Sequence, residues 1–254
     1  MSDHDLSAAP VPAPGLPEPR FLMLRRFDCE APVAPGSRSR LRPGDARWFR
    51  GDGLAERLAR ELCAQRALPL KELVEAYEFF ARVRRRVRAA TVCDLCCGHG
   101  LVGVLYALFE RKVDEVVLVD RRRPESWPRI LEAARRVAPW VEPKLRWEVA
   151  TLERAAPSLP EGAALIAVHA CGLRTERVIK LAIERRAPVG LLPCCRPHRR
   201  HPAPLSLQRA LGADLAIDVD RTYTLERAGY RVRWDAIPAS ITPMNRVLIG
   251  VPGD

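Results

Sequence analysis

One stretch, Ala90 to Phe109, limits what this chain can fold into more than any other. Val92, Cys93, Leu95 and Cys96 form a short apolar run without internal Gly or Pro, which suits a buried strand, and Gly98 and Gly100 end it at once. Leu101, Leu105, Leu108 and Phe109 then recur at helical spacing. Glycine between strand and helix lets the backbone bend sharply and lets a ligand approach with no Cβ in its way. A nucleotide-like cofactor is the natural occupant.

The next strand supports that reading. Glu115-Val-Val-Leu-Val-Asp120 is a second apolar run, and it ends on a carboxylate. In doubly wound sheets an acid at this place takes the ribose hydroxyls of a bound nucleoside. The dinucleotide fingerprint does not fit, because Cys96 and Cys97 stand where its first glycine would fall. A Gly-x-Gly turn alone equally describes a tight turn between strand and helix. Strand, turn, helix, strand and acid in register point to a cofactor.

Beyond Asp120 the pattern alternates as βαβα units do. The residues predict a helix over Glu125–Val137, strands over Lys144–Ala150 and Ala164–Ala170, a helix over Thr175–Arg186 and a fifth strand over Val189–Cys194. Helices over Leu205–Gly212 and Asp218–Ala228 follow. Gly229–Ile237 and Asn245–Val251 close the chain as two strands whose short connection has no room for a crossover helix, so this pair is antiparallel. The fold class is therefore α/β and Rossmann-like: a mostly parallel seven-stranded sheet whose last strand is reversed, with a helical N-terminal extension.

Three regions are expected. Residues 1–47 are Pro-rich and read as a flexible arm, within which Phe21 to Phe27 is an apolar exception able to dock. Residues 48–89 form a helical extension, with helices over Gly53–Arg66 and Pro69–Arg88. Leu73, Tyr77, Phe80, Val83 and Val87 make the apolar stripe of the second, and its arginines suggest a basic support for substrate beside the cofactor end. Residues 90–254 form the cofactor-binding domain.

The eight cysteines read as reduced thiols, since an α/β core of this size needs no disulfide framework. No apolar run approaches the length of a membrane span and no signal-like start is present, so a cytoplasmic protein without membrane contact is expected. The formal net charge of +11 favours a polyanionic partner, with RNA the foremost candidate. Arginines cluster at 82–88, at 121–123 and at Arg196, Arg199 and Arg200. A solvated basic face is the plainer account of such runs.

Asp94-Leu-Cys-Cys-Gly-His-Gly100 resembles the first motif of class I S-adenosylmethionine-dependent methyltransferases. His169-Ala-Cys-Gly172 with Leu173-Arg-Thr-Glu176, and Pro193-Cys-Cys195 after the fifth strand, are similar to motifs of one subgroup, which includes the eukaryotic tRNA ribose 2′-O-methyltransferase. Ile241 to Ile249 resembles the last strand of that group, and the similarity runs from about Leu70 to Val251. Two features depart from it: only Cys29 and Cys63 supply thiols before Leu68, where the tRNA enzyme carries zinc modules, and Pro197 separates Cys195 from His198.

The resemblance implies S-adenosylmethionine as cofactor, held by Asp94, Cys96, Gly98, Gly100, Asp120 and His169, and transfer of its methyl to RNA, either tRNA or rRNA. His169, Cys194 and Cys195 are the candidate catalytic residues, His169 because a neutral imidazole titrates near working pH. Arg196, Arg199 and Arg200 are placed on substrate phosphates. A small-molecule or protein methyltransferase, or an inactive nucleic-acid-binding protein of the same fold, are the alternatives. No metal requirement is expected: His169, Cys171, Cys194, Cys195 and His198 are zinc-type ligands, but no two of them have Cys-x-x-Cys spacing. The sequence leaves the oligomeric state open.

Overall fold

The computed structural model describes residues 18–30, 33–193 and 203–253. Its helices are α1 (Arg26–Cys29), α2 (Leu54–Ala64), α3 (Leu70–Val83), α4 (Leu101–Phe109), α5 (Trp127–Val137), α6 (Leu152–Ala155), α7 (Arg174–Arg185), α8 (Leu205–Leu211) and α9 (Ala213–Arg227). The strands are β1 (Thr91–Leu95), β2 (Glu115–Asp120), β3 (Leu145–Val149), β4 (Ala164–Val168), β5 (Val189–Leu192), β6 (Tyr230–Ala236) and β7 (Arg246–Pro252).

The strands form one seven-stranded sheet in the order β3-β2-β1-β4-β5-β7-β6. The pairs among β1 to β5 are parallel, and β7 runs against both β5 and β6. The expected doubly wound order, with β1, β4 and β5 side by side and one reversed strand, is what the chain adopts.

Successive strand residues point to opposite faces, so a sheet covered on both sides must be apolar at nearly every position. Val92, Val116, Leu118 and Ile166 pack on the face covered by α3, α4 and α5. Cys93, Leu95, Val117, Val119, Leu165 and Ala167 pack on the other, with α6, α7 and α9. Helix α4 lies tight on the sheet because Gly103 leaves Leu118 and Val116 of β2 the space a Cβ would fill.

Several boundaries differ from expectation. The helix predicted to Arg88 stops at Val83, and a turn then buries Val87 on the way to β1. The arginines after it therefore sit at the amino end of β1. They are roughly a helix length, about 21 Å, from the start of α3 and so are not beside the cofactor end. Arg82 is 7% exposed and bonded to Glu78 and to the carbonyls of Arg20 and Ala236, and Arg84 pairs with Glu110 over the Phe80 ring. Both are committed to the fold.

The N-terminal segment packs from Phe21 onward. Phe21, Leu24 and Phe27 are buried, and the Phe21 and Phe27 rings lie 5.5 Å apart. Buried Glu78 of α3 accepts from the backbone N–H groups of Leu22, Met23 and Leu24 at 2.8, 3.0 and 3.2 Å. Helix α9 begins five residues before the predicted Asp218, after a break at Gly212, whose φ is +77°.

Candidate functional site

Two strand ends build the site, and both end in the same unusual way. After β1 the chain enters the left-handed region at Cys96, φ +57°, and after β4 it does so at His169, φ +61°. Non-glycine residues in this region are strained and persist only where their surroundings hold them. The Cys97 N–H donates to the Val119 carbonyl at 3.0 Å, and the His169 N–H to the Leu192 carbonyl at 3.1 Å. Each strand end is thus tied to the neighbouring strand.

Between Cys96 and α4 the turn is closed by three bonds. The Gly98 N–H donates to Asp120 Oδ2 at 3.0 Å, the Gly100 N–H to the Cys97 carbonyl at 2.8 Å, and His99 Nδ1 lies 2.6 Å from Ser126 Oγ. Burial holds the His99 imidazole below its usual range, so it packs as a neutral ring. A cavity of about 420 Å³ lies over this turn. Cys96, Gly98, Asp120 and His169 line it, together with Glu75 and Ala150.

Two residues expected at the cofactor lie outside the cavity lining. Gly100 is buried, and a Cβ there would come 2.9 Å from Trp127 and 3.0 Å from Trp147, so packing and a φ of +75° require glycine. Asp94 is 1% exposed beneath the turn, where Oδ2 accepts from the Gly103 N–H at 3.0 Å and Oδ1 has no hydrogen-bond partner. Burial, with the charge of Asp120 added, pushes its carboxyl up to about 7 against the bond from Gly103. Asp94 and Gly100 shape the turn from below and do not line the cavity. Gly98 does: its φ is +54° and a Cβ would meet nothing within 4 Å.

The thiols here are neutral. Burial pushes the Cys96 thiol up to about 11 and the Cys97 thiol well above its usual range, which favours the protonated form of both. Cys194, Cys195, Arg196, His198, Arg199 and Arg200 lie outside the described residues.

The sequence reading missed Glu75. It is 1% exposed on α3, and its Oε2 lies 2.5 Å from His169 Nε2 and 2.8 Å from Lys71 Nζ. Burial presses its carboxyl upward, yet the hydrogen bond and charge of His169, with the Lys71 ammonium, outweigh it and hold the group below the usual carboxylate range. Arg174 and Arg177 also line the cavity, and Arg177 is paired with Glu153. The available signal was a pair of carboxylates, Glu75 and Glu78, on a helix apolar enough to be buried nearly all round. A charge in such a helix needs a partner.

The donor set fits a sulfonium nucleoside. An open glycine backbone, a carboxylate at the end of β2 and a roomy apolar and polar wall are what its amino acid, ribose and base require. Among the described residues no helix is long and apolar enough to cross a membrane.

The chain is similar to several known proteins. A glutathione S-transferase C-terminal domain-containing protein of Xenopus laevis is 25% identical over 197 residues, covering 64% of this chain. The alignment spans only 31% of that relative's length. Among solved structures, the precorrin-6y C5,15-methyltransferase of Geobacter metallireducens is 15% identical with a TM-score of 0.40, covering 63% of this chain and 75% of its own. A SAM-dependent methyltransferase of Aquifex aeolicus is also 15% identical, with a TM-score of 0.41 and coverage of 70% and 90%. The family described as methyltransferase domain matches residues 70–200, just over half of the chain, from the first residue of α3 past the end of β5. The chain belongs to this methyltransferase-domain family, whose fold implies S-adenosylmethionine as the methyl donor.

Proposed function

We propose that this methyltransferase acts on RNA, tRNA or rRNA, with its donor over Gly98 and its acceptor on the His169 side of the same cavity. The observation that carries the donor half is the bond from the Gly98 N–H to Asp120 Oδ2, which fixes the aspartate across the open turn. One carboxylate oxygen is engaged there, and the other is assigned to the ribose hydroxyls. Bound S-adenosylmethionine supplies an electrophilic methyl on a sulfonium.

The protein's part is to hold nucleophile and methyl in line and to give the acceptor proton a path. His169 takes this role as base or positioner, because it stands at the end of β4 against the cavity with Nε2 held by Glu75. Cys96 and Cys97, kept neutral by burial, exclude water without competing for the methyl. Cys194 and Cys195 are assigned to the continuation of that wall.

Support for RNA is the net charge of +11, the arginines at 196, 199 and 200 following β5, and the resemblance to the tRNA ribose 2′-O-methyltransferase subgroup in the residues around His169 and Pro193. Calorimetry tests the donor half. Wild-type protein should bind S-adenosylmethionine, and Asp120→Ala should weaken it by about 10- to 100-fold, the worth of one charged hydrogen bond. No heat from wild type leaves only a binding protein of the same fold. Mass spectrometry of RNA from a deletion strain tests the acceptor half and should find one methylated nucleoside missing. Arg199→Ala should lower the salt slope of RNA binding by about one. A flat salt response would move the acceptor to a small molecule or protein.

A further inference from the structure

Helix α3 brings more than a wall to the cavity. Glu72 and Glu75 stand at i and i+3 and share one face of the helix. His169 reaches the same place from the end of β4. One ligand atom from each of the three lies within 4.8 Å of the others, and all three residues line the cavity.

Glu75 shows what the cluster lacks. Its Oε2 is taken by Lys71 and His169, but its Oε1 is buried with no hydrogen-bond partner, in a side chain 1% exposed. A buried carboxylate oxygen without a donor loses its hydration and gains nothing in return, so a bound partner is the economical explanation. Glu72 adds a second carboxylate beside it. Two carboxylates against one ammonium leave the cluster acidic within a chain of net charge +11.

We propose that Glu72, Glu75 and His169 form a binding site for a divalent cation on the acceptor side of the cavity. Carboxylates suit hard cations and imidazole suits first-row transition ions, so this mixed set points to an ion of the Mn²⁺ type, which accepts both. With the ion bound, Lys71 keeps Oε2, Oε1 is assigned to the ion, and His169 gives up its bond to Oε2 to become a ligand, which leaves it the positioning role and not that of base. An ion there gathers hydroxyl oxygens of an acceptor next to the methyl group. That use rests on the donor position proposed above, whereas the cation site stands on the three side chains alone.

The test uses the full chain, freed of metal with a chelator and titrated with Mn²⁺ while electron paramagnetic resonance reports the free ion. One saturable site per chain is expected. Glu72→Gln, on a partly exposed residue that tolerates change, and Glu75→Gln should each weaken it by at least about tenfold. Calorimetry with S-adenosylmethionine runs on the same samples. Failure of wild type to saturate at millimolar Mn²⁺ while still binding S-adenosylmethionine overturns the cation site and leaves the donor reading intact. Mn²⁺ binding unchanged by Glu72→Gln and His169→Asn also overturns it, since the ion then lies elsewhere. A saturable, Glu72-dependent site in protein that does not bind S-adenosylmethionine supports the cation site and overturns the donor reading.

Discussion

Replacing Gly98 and Gly100 separately with alanine separates a glycine needed by a ligand from one needed by the fold. Both have φ in the left-handed region, +54° and +75°. An L-residue held there loses about 1–2 kcal/mol. At Gly98 nothing else is lost, because the new methyl meets no atom within 4 Å. At Gly100 the methyl comes 2.9 Å from Trp127 and 3.0 Å from Trp147, whose rings pack with centroids 4.7 Å apart. Overpacking of that kind adds about 1–3 kcal/mol. Gly98→Ala should therefore cost about 1–2 kcal/mol of stability and Gly100→Ala about 2–5 kcal/mol. Urea unfolding followed by tryptophan fluorescence reads both, since the clashing rings are themselves reporters. Donor affinity should move the other way: Gly98→Ala adds a methyl to backbone that lines the cavity and should weaken S-adenosylmethionine, while folded Gly100→Ala should keep it. Equal destabilisation by the two changes, or donor loss confined to Gly100→Ala, would refute this division of labour.

Further outcomes follow from buried acids. The Asp94 carboxyl is raised by burial to about 7 in the folded state, so its contribution to stability is full below the unfolded value of 3.8 and is lost as pH rises towards 7. Asp94→Asn should flatten that loss, seen as a smaller difference between urea midpoints at pH 5 and pH 8; an unchanged difference would count against it. Glu78→Gln removes the acid shared by Arg82 and three backbone N–H groups, and breaking such a buried pair costs about 3–5 kcal/mol. Trypsin should then cut faster at Arg25 and Arg26 than in wild type. A matching rate would mean the docked segment does not depend on Glu78.

The sequence was most legible where the forces are local. Strand, turn, helix and acid from Val92 to Asp120 could be read because alternation, helical spacing and glycine act over a few residues. The reversed last strand was legible for the same reason, since the length of one connection decides it. Glu75 was not, because its partner lies at His169, 94 residues later, and no periodicity links them. Asp94 and Gly100 were expected at the cofactor, and neither lines the cavity. Asp94 lies in β1 and Gly100 ends the turn that resembles a donor motif, and their packing against Gly103, Trp127 and Trp147 was not legible from spacing alone. The arginine run before β1 was misplaced because the helix ends five residues sooner than its stripe suggests, which puts those charges at the far end of the sheet.

The distance in sequence between Glu75 and His169 also sets when the cavity wall can form during synthesis. A chain emerging from the ribosome shows the acid of the pair early and the imidazole only after four strands have been made, and Leu192, which anchors the His169 backbone, comes later still. A nascent chain of this kind cannot close the cavity wall that Glu75 and His169 share until β5 has been made.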